Sequence, residues 1–123
     1  MDQSLKVKDF VHEWLNHFNI SFQSEVKVNS TLSLDYYIPN LRIGIFIVDW
    51  KRPISVQIAN KAIQLQRELD LTALYLISRE ISEPAQKSLD RFGDNIIAIH
   101  PNGLSELAIS LANTMQQPRH MST

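Results

Sequence analysis

The sequence predicts an α/β fold, a mixed sheet flanked by helices, on three observations. Apolar residues recur at helical spacing in some segments and at alternate positions in others. The strand-like segments of the first half follow one another through turn residues, whereas those of the second half are separated by helices, which implies hairpins followed by crossover units. The run Ile43-Gly44-Ile45-Phe46-Ile47-Val48 is apolar on both faces, as a central strand covered on both sides must be.

Each element has its own warrant. Residues 5–18 form a helix whose stripe is Val7, Phe10, Val11, Trp14, Leu15 and Phe18, with Asn19 as its stop. Residues 21–28 alternate as a strand, with Phe22, Ser24, Val26 and Val28 on one face and Gln23, Glu25 and Lys27 on the other. Asn29-Ser30 is turn chemistry, and a second strand over 32–38 ends at Pro39-Asn40. The third strand covers 42–51 and is broken by Pro53. Ser55 caps a helix to about residue 69 that turns Ile58, Ala62, Leu65 and Leu69 inward. A fourth strand over 72–77, a short helix over 82–92 stopped by Gly93, a fifth strand over 95–100 and a last helix over 103–115 complete the order. Residues 116–123 are polar and contain Pro118, which predicts a flexible tail beyond a single domain of residues 1–115.

Composition narrows the function classes. A chain of 123 residues is the size of one domain and buries about two thirds of its unfolded surface. The absence of cysteine excludes thiol catalysis, disulfide scaffolds and thiolate metal sites. Twelve Lys and Arg against 13 Asp and Glu exclude a strongly basic nucleic-acid coat but leave room for a local basic patch. The longest apolar run, 43–48, falls far short of the about 20 residues of a membrane span, so no membrane partner is expected. The polar start Met1-Asp2-Gln3-Ser4, with no apolar run behind it, predicts no signal peptide and a cytoplasmic location. The glycines at 44, 93 and 103 are isolated, which argues against phosphate-binding loops. His12 and His17 are five apart and do not share a helix face, His100 suits a capping role, and His120 lies in the tail.

The chemistry concentrates near the third strand. Alternation puts Asp49 and Lys51 on one face and Trp50 on the other. Asp35 stands in the preceding strand, within Leu34-Asp35-Tyr36-Tyr37-Ile38-Pro39. If the two strands form a hairpin through Pro39-Asn40, the acids converge, and a divalent cation best relieves their repulsion. Such a cation binds phosphate oxygens, and Lys51 beside it is placed to orient an attacking water.

Asp35, a strand pair and then Asp49-Trp50-Lys51 together resemble the PD-(D/E)xK superfamily of restriction-endonuclease-like nucleases, in particular its small resolvase-like and very-short-patch-repair-like members. The order αβββαβ also matches that superfamily's core, over roughly residues 5–77, with a C-terminal α-β-α extension. The resemblance implies a Mg²⁺- or Mn²⁺-dependent nuclease acting on DNA, as a homodimer or within a larger complex. It implies that Asp35 and Asp49 are metal ligands, that the Trp50 carbonyl is a third, and that Lys51 is the motif lysine. On the same resemblance Glu25, or secondarily Glu13, would be the auxiliary acid. Gln57, Lys61 and Gln64 share a face of the following helix, with Lys61 and then Gln57 the candidates to face the site; Lys51, Arg52, Lys61 and Gln57 are the expected nucleic-acid contacts. The chain departs from the pattern in having Leu34 where proline is usual before the first acid, aspartate at the second acid where glutamate is common, and no separate recognition domain. Two other readings stand beside it: a catalytically inactive DNA-binding or assembly module on the same fold, and a doubly wound parallel α/β protein.

Overall fold

The structure is a computed structural model that describes residues 4–93 and 95–121, with the side chains of 6–93, 95–111 and 113. Its elements run α1 (Ser4–His17), β1 (Gln23–Lys27), β2 (Ser33–Ile38), β3 (Ile43–Val48), α2 (Val56–Glu68), β4 (Ala73–Ser78), α3 (Glu83–Phe92), β5 (Ile96–Ile99) and α4 (Leu104–Met121). A single 3₁₀ turn, Pro101–Gly103, leads into α4.

The five strands form one sheet in the order β1-β2-β3-β4-β5. β1, β2 and β3 are an antiparallel meander, while β3, β4 and β5 are parallel. This mixed sheet excludes the all-parallel doubly wound reading. β3 pairs in register with β4 from Ile43–Ala73 to Val48–Ser78, so the two strands end together.

Two cores cover the two faces of the sheet. Ile43, Ile45 and Ile47 of β3 and Tyr75 and Ile77 of β4 pack with Val7, Val11 and Leu15 of α1 and Leu107 and Leu111 of α4. Val48, Leu74 and Leu76 pack instead with Ala59, Ala62, Ile63 and Leu65 of α2 and Ala85 and Leu89 of α3. A strand apolar on both faces can sit only between such layers, where each large aliphatic side chain removed from water stabilises by about 1.5–3 kcal/mol. Gly44 leaves room in the second core: a Cβ there would lie 2.8 Å from Leu71 Cδ1 and 2.9 Å from Leu34 Cδ2.

Several expectations change. Phe10 and Phe18, assigned to the inward stripe of α1, are 44% and 53% exposed; the sheet buries the Val7–Val11–Leu15 row, with Trp14 partly buried against it. The alternation in β1 breaks: Phe22 packs with the α1 core, but Val26 and Val28 pack with the α2 core. Glu25 lies between them with φ 50°, a left-handed conformation that turns the strand over. β3 ends at Val48, so Asp49 and Lys51 lie beyond the strand and are not set on one face by its alternation. Arg42, read as the start of that strand, has φ 52° in the β2–β3 turn. α4 continues as helix through Pro118 to Met121, into the stretch read as a tail; 122 and 123 and the side chain of His120 lie outside the described residues. Among the described residues, no helix is long and apolar enough to cross a membrane.

Candidate functional site

Asp35 occupies the point where β2 changes face. Its neighbours diverge, Leu34 into the α2 core and Tyr36 into the α1 core. The β2–β3 ladder pairs Ile38–Ile43, Tyr37–Gly44 and Tyr36–Ile45 and stops there. Past that point the Asp35 side chain takes over the work of a backbone carbonyl: its Oδ2 accepts the Ile47 N–H at 2.6 Å. On the other side, Ser24 pairs with Tyr36 and Val26 with Leu34, which leaves Glu25 abreast of Asp35 outside the ladder.

Asp35 has a cation on its other oxygen. Lys8 Nζ, from α1, lies 3.2 Å from Oδ1. The turn carrying Lys8 is itself held to the sheet, because the Tyr36 hydroxyl donates to the Lys8 carbonyl at 3.0 Å. Burial raises the Asp35 pKa above the usual carboxylate range; the Ile47 hydrogen bond and Lys8 oppose that rise, and the nearby Glu25 charge adds to it. Tyr36 is also raised, first by burial and then by the Asp35 charge.

Asp49 follows Val48 directly and is only 2% exposed. Its Oδ1 accepts from Nε of Arg79, the residue that follows Ser78 at the end of β4. Because β3 and β4 end in register, this pair spans the C-terminal ends of two parallel strands, a position where open α/β sheets place binding sites. The two acids therefore share one end of β3. Asp35 is anchored on the β2 side at Ile47, and Asp49 is paired toward β4.

A cleft of about 250 Å³ opens beside Asp35. Lys8 and Lys61 line it from α1 and α2, with Ser33, Phe46, Ile47 and Trp50 between them. Of the expected nucleic-acid contacts, the structure brings Lys61 to the cleft, while Lys51, Arg52 and Gln57 are exposed outside its lining. The Arg52 guanidinium stacks over the Trp50 ring, 4.8 Å from its centroid. Glu25 is exposed, and Glu13 is an exposed residue of α1. Among the described residues, no group of three or more His, Cys, Asp and Glu side chains could hold a metal ion. His100 does cap the turn after β5, its Nδ1 accepting the Asn102 N–H at 3.0 Å.

Sequence reasoning missed Lys8 and Arg79. Arg79 could have been found from a parallel register of β3 and β4 that sets Val48 beside Ser78. Lys8 had no local signal, since only the seating of α1 on the sheet brings it to Asp35. No family model, no curated protein and no solved structure matches the chain.

Proposed function

We propose that the chain is a metal-dependent nuclease of the restriction-endonuclease-like type that hydrolyses phosphodiester bonds in DNA. The observation that carries this reading is the anchoring of Asp35 on Ile47, two residues before Asp49, so that two carboxylates belong to one end of β3. The element order α1-β1-β2-β3-α2-β4 and the mixed sheet flanked by helices support this reading.

The residues fit a hard divalent cation by their donor chemistry. Asp35 and Asp49 supply anionic oxygens, and each already draws a positive group to itself, Lys8 and Arg79. Mg²⁺ is commonly held by one or two carboxylates, with water and substrate phosphate completing its shell. Asp35, Asp49 and the Trp50 carbonyl would hold Mg²⁺ or Mn²⁺, with Glu25 as the auxiliary acid. When bound, the ion would polarise the phosphate and acidify a water. Lys51 orients the attacking water and balances charge on the phosphorus oxygens. Lys61 and Arg52 hold the flanking backbone, with Gln57 as a further polar contact. A second copy or a larger complex would extend a DNA contact that one small domain keeps short.

The test is cleavage of labelled DNA with Mg²⁺ or Mn²⁺. Asp49→Ala and Lys51→Ala are expected to lose the activity while keeping the circular dichroism of the wild type. Equal activity in wild type and both variants would assign the cleavage to a contaminant and end the proposal. The two ion pairs favour one second reading, a catalytically inactive DNA-binding or assembly module whose acids are neutralised internally. Calorimetry with Mn²⁺ separates the two: a folded protein that takes up no ion at millimolar concentration is the module.

A further inference from the structure

Lys8 belongs to two places at once. It is the counter-charge of Asp35 at 3.2 Å, and it lines the cleft that Lys61 lines from the other side of the sheet. Its side chain is 34% exposed, so the ammonium can leave the carboxylate without unpacking α1. Among the described residues, the cleft lining holds these two cations and no acidic side chain, with Ser33 and Thr31 as its other polar residues. Those groups suit a phosphodiester: positive charges from α1 and α2 and the Ser33 hydroxyl as a donor, the Thr31 hydroxyl being given to Asn29 Oδ1.

We propose that Lys8 is shared between Asp35 and a nucleic-acid backbone lying in this cleft, so that Asp35 and the nucleic acid compete for one ammonium. This inference rests on the nucleic-acid part of the reading above and adds to it a regulation of the same site. Whatever neutralises Asp35 releases Lys8 to the phosphate and tightens binding. By reciprocity, bound nucleic acid leaves the Asp35 carboxylate open to another cation.

The test uses fluorescence anisotropy of a fluorescein-labelled single-stranded oligodeoxyribonucleotide, in EDTA so that no cleavage intervenes. Asp35→Asn keeps an oxygen for the Ile47 N–H and removes the competing charge, so binding should tighten several-fold. Lys8→Met and Lys61→Met should each weaken binding several-fold and lower the slope of log K against log salt by about 0.7. Asp35→Asn combined with Lys8→Met should bind no tighter than Lys8→Met alone. Lys61 stands exposed on α2, so its variant keeps the test valid if Lys8→Met folds poorly. Unchanged or weaker binding in Asp35→Asn overturns the proposal. So does wild-type binding in the lysine variants, displacement of the oligonucleotide by polyglutamate as readily as by DNA, or no binding by any of the proteins. Cleavage with Mg²⁺ is measured separately: its absence would remove the nuclease reaction and leave these binding results standing.

Discussion

The carboxylate of Asp49 is buried against the guanidinium of Arg79, across the ends of two parallel strands that stop in register. Arg79 is one-third exposed, whereas Asp49 is almost completely enclosed, so the arginine brings solvent-side charge to an acid that water barely reaches. Removing the arginine leaves that acid with too little compensation. Arg79→Leu is expected to lower stability by about 2 kcal/mol in urea denaturation. Arg79→Lys should recover part of the loss, because the charge returns without the fork geometry. A leucine variant as stable as the wild type would mean that the other surroundings of Asp49 suffice.

Asp35 sets a pH dependence. Its folded pKa is raised above its ordinary value, so the folded state holds the proton more tightly than the unfolded chain. Ionised Asp35 therefore costs stability at pH values above the raised pKa. That cost is relieved as pH falls from the raised value toward the ordinary carboxylate value. Asp35→Asn, which mimics the neutral acid, should raise Tm at pH 7, and its advantage should shrink on acidification through that window. Thermal scans across pH check the sign; an advantage that grows on acidification contradicts it.

Gly44 is a packing position. Its missing Cβ makes room for Leu71 and Leu34, both of which are buried. Gly44→Ala should cost about 1–3 kcal/mol, as overpacked cores do. Gly44→Ala together with Leu34→Val, which trims one of the two clashing side chains, should recover some of it. Chemical denaturation of the three proteins measures both terms.

Glu25 separates stability from function. It holds φ 50° where β1 turns over, a conformation glycine adopts without penalty. Glu25→Gly should gain about 1 kcal/mol of stability. If Glu25 supports the site, the same variant should cleave DNA more slowly. Parallel unfolding and cleavage assays read the two effects, and a variant that loses stability would place the strain elsewhere.

The class of the fold was legible because hydrophobic period is a local property. The Ile43–Val48 run could only be a strand covered on both faces, and two cores do cover it. His100 was readable for the same reason, since its Nδ1 accepts the Asn102 N–H two residues on; Ser55, read as a cap, stands at the N-cap of α2 but makes no side-chain cap hydrogen bond, whereas Ser82, read only as the start of α3, accepts the Ala85 N–H. Alternation failed at Glu25 and past Val48, where a left-handed residue and a strand end reset which way side chains point.

By itself the sequence determined an α/β chain with a hairpin-rich first half, a central β3, and acids at positions 35 and 49. Tertiary structure alone decided what those acids meet. Lys8 comes to Asp35 from a helix 27 residues earlier, and Arg79 comes to Asp49 from just past the end of the next parallel strand. The physical reason is range. Period and capping depend on neighbours within a turn or a pleat, whereas an ion pair depends on where whole elements settle. That choice is made by packing the two faces of the sheet and is written in no short stretch of residues.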